Sequence, residues 1–137
     1  MFIRKREAGQ NLVEFSLVMM FLLIVAFGVL DLGRAFFSVI TISNAAREGA
    51  RYLTNHPDDN LSSFAGTKSA VAEEAQGSIF NIQADQIDVL CNDYDDIEGC
   101  DSGSAVRVTV NYDFNPIMGW FIQGPIHLSR SVEMIMP

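Results

Sequence analysis

Residues 12–30 read LVEFSLVMMFLLIVAFGVL, an apolar run interrupted by a single charged residue, Glu14. As an α-helix rising ~1.5 Å per residue, this run is about 28 Å long, close to the ~30 Å hydrocarbon core of a bilayer. Arg4, Lys5 and Arg6 precede it and Asp31 follows it. Basic residues stay on the cytoplasmic side of a spanning helix, so the N-terminus is expected in the cytoplasm. From Asp31 onward, 15 acidic residues face 6 basic ones, so the part expected outside carries −9 against −8 for the whole chain. That balance argues against nucleic acid as a partner, because phosphate backbones are bound through clustered Lys and Arg. A cleavable secretory signal fits poorly: the run passes into Asp31-Leu32-Gly33-Arg34, not into a small-x-small cleavage site.

Outward from the span, Leu32, Ala35, Phe36, Val39, Ile42, Ala46, Gly49, Ala50 and Leu53 recur at three- and four-residue steps. The helix is therefore expected to continue to about Thr54, with this stripe burying a face against a head domain. The sequence Asn55-His56-Pro57-Asp58-Asp59-Asn60 stops it. A second, amphipathic helix is expected from Thr67 to about Phe80, with Val71, Ala75 and Ile79 on one face. The period then changes to two. Val106, Val108, Val110, Tyr112 and Phe114 alternate with Arg107, Thr109, Asn111 and Asp113, the signature of a half-buried strand. Ile126, Leu128, Val132 and Met134 make a final strand whose apolar face Arg130 interrupts, which predicts a bulge or an edge. Ile87, Val89 and Cys91 make a shorter one. The expected fold is α+β: a long N-terminal helix, a second helix and a small three-stranded antiparallel sheet.

The N-terminal junction is the most specific part of the chain. A basic leader ends in Gly9, and the string continues as GQNLVEFSLV over residues 9–18, with Glu14 five residues after the glycine. Beyond the span come Asp31-Leu32-Gly33-Arg34-Ala35-Phe36 and Asn44-Ala45-Ala46-Arg47-Glu48-Gly49-Ala50-Arg51. The junction resembles a type IV prepilin cleavage site, and the whole pattern resembles the TadE-like family, minor pilins or pseudopilins of bacterial tight-adherence (Tad) pili. The likeness covers about the first 55 residues strongly and the C-terminal strands weakly. Residues 57–104 match no motif.

The resemblance implies an aspartic prepilin peptidase that cuts between Gly9 and Gln10, and a role in initiating, assembling or capping an adhesive pilus. It implies as partners that peptidase, other pilins, an assembly platform, inner-membrane lipid and a surface receptor. It divides the chain into a cytoplasmic leader (1–9), a transmembrane part (10–31), an extracytoplasmic continuation of the helix (32–56) and an α+β head (57–137). It also implies that Glu14 pairs with the freed α-amine of Gln10, on its own or a neighbouring subunit, as an assembly determinant. Read without the family, a carboxylate inside an apolar span is a functional candidate. The local alternative is a capping box between Asn11 and Glu14. An alternative from another class is a permanently anchored single-pass ligand-binding or scaffold protein with an acidic extracytoplasmic domain.

Cys91 and Cys100 bracket the acidic stretch NDYDDIEG. In an extracytoplasmic compartment they are expected to form a disulfide, the alternative being buried free thiols. Their spacing suits neither zinc nor a CxxC redox pair. The acids between them miss the EF-hand pattern, so no metal is expected. His56 and His127 have no nucleophile or orienting group at motif spacing, and the chain has no phosphate-binding glycine-rich loop. No catalysis and no cofactor are expected. The connection NPIMGWFIQG at 115–124 is too apolar for a plain turn. It either packs under the long helix or presents an aromatic patch to a partner or a membrane surface.

Overall fold

The computed structural model describes residues 7–76, 81–91, 100, 102–119 and 124–137, with the side chains of 7, 8 and 60–62 excepted. The described residues form a 49-residue helix α1 (Glu7–Asn55), a helix α2 (Ala65–Gln76), short 3-10 segments at Pro57–Ser62 and Ala84–Gln86, and strands β1 (Ile87–Cys91), β2 (Ala105–Phe114) and β3 (Ile126–Ile135). The sheet is antiparallel with order β1-β2-β3. This is a pilin-like α+β arrangement: a helix about 70 Å long, with α2 and the sheet packed around its C-terminal half. The expected ends of the leader (residues 1–6) and of the second helix (residues 77–80) lie outside the described residues.

Helix α1 ends where the chain loses its helical options. Pro57 cannot extend it, and the His56 ring stacks on Tyr52 with centroids 4.2 Å apart. The chain then reverses through Ser63 and Phe64, both left-handed at φ 57° and 60°. Asp59 completes the reversal. Its carboxylate accepts the backbone N–H of Gly66 at 2.9 Å, the backbone N–H of Thr67 at 2.7 Å and the Thr67 hydroxyl at 2.6 Å. An acid from the preceding turn thus satisfies donors that the start of α2 leaves open.

The core lies between these elements. Ile42, Ala45, Ala46, Ala50 and Leu53 of α1 meet Val71 and Ala75 of α2 and Ile87, Val106, Val108 and Val110 of the sheet. The small residues of the NAAREGAR string let α1 approach both layers at once. A Cβ on Gly49 would overlap Val71 Cγ2 on one side and stand 3.4 Å from Val108 Cγ1 on the other. The expected stripe is corrected at its lower end. Leu32 and Phe36 are 71% and 67% exposed, while Ala35 is half-buried and Ser38 buried. The buried line runs through Ser38, Ile42, Ala46, Gly49 and Leu53, one flank over from the line through Leu32 and Phe36.

In the sheet, alternation sorts the faces as period two requires. Val106, Val108 and Val110 point inward, and opposite Val110 stands Arg130. The β2–β3 register is continuous through this pair, so Arg130 marks an edge strand without a bulge. On the outer face, Arg107 Nε donates to Glu133 at 2.6 Å across the register, and His127 pairs with Asp113.

Candidate functional site

Helix α1 carries the sequence features that bear on function, and its first half stands clear of the head. None of its most apolar 18-residue window is buried in the fold. By length and composition the helix can cross a membrane. Gly9, Gln10 and Glu14 are all exposed on it. Gln10 and Glu14 lie four residues apart and so share a helix face. A Cβ placed on Gly9 meets nothing within 4 Å. The fold itself therefore makes no demand for glycine there. Because α1 begins at Glu7, Asn11 is an interior helical residue, and the Asn11–Glu14 capping box does not form in this chain. In the unprocessed chain, Glu14, two turns into α1 and flanked by apolar residues, is left without that structural explanation.

The outer end of the span carries a junction that local sequence reasoning did not detect. The Asp31 carboxylate accepts the backbone N–H groups of Ile117 and Met118, each at 2.9 Å. Arg34 Nη1 donates to the same carboxylate at 3.4 Å, and its guanidinium lies over the Phe114 ring at 5.3 Å, a cation–π distance. The β2–β3 connection is thereby tied to α1 where the first charged side chain follows the apolar run. Of the two readings of NPIMGWFIQG, its first part packs against the helix; residues 120–123 lie outside the described residues. The tie spans a sequence separation of 86. The only local hint is Pro116 followed by two residues with free backbone donors. Burial pushes the nearby Tyr112 hydroxyl up from its ordinary pKa, against the opposing charge of Arg34, so it remains neutral at physiological pH.

Cys91 and Cys100 are joined by a disulfide with Cα atoms 5.5 Å apart. The bond ties the end of β1 to a segment that returns into β2, and Cys100 belongs to the buried core. The acidic residues between them, 92–99, lie outside the described residues. Cys100→Ser is expected to cost about 2 kcal/mol, as estimated for a loop of this size. For a head of this size that is a fall in Tm of roughly 8 to 16 °C. Thermal unfolding of the detergent-solubilised chain measures it, and an unchanged Tm would assign the bond no stabilising part.

Among the described residues, no group of three or more His, Cys, Asp or Glu side chains is placed to hold a metal ion. His56 Nδ1 lies 3.0 Å from the Tyr52 carbonyl at the end of α1, and His127 is engaged with Asp113 on the outer face of the sheet. Both histidines are exposed.

Residues 9–51 match the family model described as TadE-like protein. The match covers the stretch from Gly9 through the span to Arg51, including Glu14, Asp31 and Gly49. No curated protein and no solved structure matches the chain.

Proposed function

We propose that this chain, a member of the TadE-like protein family through residues 9–51, is a minor pilin of a Tad-type pilus. Helix α1 anchors it once across the inner membrane, with the N-terminus cytoplasmic and the disulfide-bonded head outside. A prepilin peptidase cuts between Gly9 and Gln10. The processed subunit is then taken up by an assembly platform, where it initiates, extends or caps the filament.

The observation that carries this reading is the apolar surface of α1 above the span. Phe36, Phe37 and Ile40 are 67%, 48% and 43% exposed, although they lie about 8 to 14 Å beyond Asp31 along the helix, past the acyl chains. A permanently anchored scaffold would leave these side chains in water. A filament of packed helices buries them between neighbouring subunits, at about 25 cal/mol per Å² of apolar surface removed from water. The freed α-amine of Gln10 would enter the same apolar surroundings, and Glu14 would be its counter-charge.

The deciding experiment is mass spectrometry of purified pili. A peptide of this chain beginning at Gln10 is the expected result. Absence of the chain from pili, with the intact protein in the membrane, would favour the anchored scaffold. Within the same preparation, Glu14→Ala is expected to insert and be cleaved normally, yet to fall about tenfold or more in the pilus fraction. The reason is that an unpaired charge in apolar surroundings costs several kcal/mol. Unchanged pilus content would remove the pairing role of Glu14.

A further inference from the structure

Asp31 sets the height of the β2–β3 connection on α1. Along the helix, Phe27 lies about 6 Å below Asp31 toward the cytoplasm. The Met118 side chain lines a shallow groove together with Ile24 and Phe27 and a second one with Gly28, so it borders the outermost turns of the apolar run. These are residues of the apolar span itself. Ile117, beside it, is 54% exposed, and Ile126, at the start of β3, is 38% exposed. A loop of the head therefore places apolar side chains alongside the outermost turn of the apolar run.

We infer that this connection is a second membrane contact: Asp31 holds Ile117 and Met118 at the level where the outer leaflet's headgroups meet its acyl chains, and their side chains enter it. The occupant is lipid because the surface is continuous with the span, and any anchored copy meets bilayer at that depth whether or not another subunit is beside it. Apolar side chains at the headgroup boundary are stabilised in proportion to the area they bury there. The polar groups at this level are compatible with the position. The Asp31 carboxylate is matched by two backbone donors and by Arg34. The Arg34 side chain is itself 49% exposed, and its guanidinium suits phosphate headgroups. The consequence is mechanical. Because the head is packed onto α1, a second lipid contact beside the helix opposes rotation and tilting of the whole subunit in the bilayer.

The inference rests on the membrane-anchor reading of α1 and not on pilus assembly, and its test separates the two. The full-length chain, its native cysteines oxidised, is placed in vesicles of phosphatidylethanolamine and phosphatidylglycerol. A nitroxide is attached singly through Leu22→Cys in the span, Ser69→Cys on α2, or Ile117→Cys. Relaxation by oxygen reports lipid, and relaxation by a water-soluble nickel chelate reports solvent. The Ile117 label is expected to follow the Leu22 label, with nickel accessibility several-fold below that of Ser69. Adding Asp31→Ala is expected to move it toward the Ser69 value. If the Ile117 label behaves like Ser69 while Leu22 stays in lipid, the contact is refuted and the anchor stands. Shielding of the Ile117 label from both reagents would assign the surface to protein and likewise refute the contact. A Leu22 label in water would overturn the anchor and the contact together. An Ile117 label that stays in lipid after Asp31→Ala would refute the carboxylate as the element that holds the loop.

Discussion

Gly49→Val is expected to lower the Tm of the head by roughly 10 to 20 °C. Gly49 is fully enclosed where α1 passes between α2 and β2, and a Cβ there overlaps Val71 Cγ2 and closes on Val108 Cγ1 and Thr67 Cγ2 at 3.4 and 3.7 Å. Valine adds three heavy atoms to this site. Overpacking of this kind costs ~3 kcal/mol at the upper end of the usual range. The gain in helix propensity over glycine, a few tenths of a kcal/mol, does not offset it. At ~4 to 8 °C per kcal/mol for a domain of this size, the loss is large. Gly49→Ala adds one methyl and gains close to 1 kcal/mol of helix propensity, so its net effect is expected to be much smaller. Thermal unfolding followed by near-ultraviolet circular dichroism distinguishes the two. A Gly49→Val chain that melts with the wild type would mean that the two layers do not approach α1 as closely as described.

Gly9→Val is expected to abolish processing while leaving the fold untouched. A side chain at position 9 meets nothing within 4 Å in the folded chain, and valine is no worse than glycine in a helix. Any effect therefore arises in the peptidase, whose site must approach the backbone on the leader side of the cut. A steric penalty of ~3 kcal/mol there corresponds to roughly a hundredfold loss in rate. Co-expression with the cognate peptidase, followed by intact-mass measurement, reads the result directly. Normal release of residues 1–9 from the valine variant would remove the cleavage proposal at this bond, whereas a stability assay alone would not register the substitution. Gly9 and Gly49 thus separate two uses of the same residue: one shows no packing requirement within the chain, the other is demanded by the core.

What the chain states locally was legible without coordinates. That the run from Leu12 to Leu30 is long and apolar enough to cross a membrane is a matter of length and of lipid's intolerance for charge. The stop after Asn55 follows from proline chemistry, and the strand Ala105–Phe114 follows from a period of two. Each depends on residues within one element, so its pattern survives in the linear order. The tertiary structure decided which line of α1 faces the core. Leu32 and Phe36 share the helical period but stand one flank away from α2 and the sheet, and periodicity cannot say where a partner will stop. It also decided that Asp59 caps α2 from the preceding turn and that Arg130 stands opposite Val110 on an edge. The attachment of Ile117 and Met118 to Asp31 was the least legible of all. A carboxylate that accepts backbone N–H groups asks only for two free donors at the right place, and almost any sequence supplies them. Its partners are therefore chosen by how the chain folds back across 86 positions, and not by the residue types that meet.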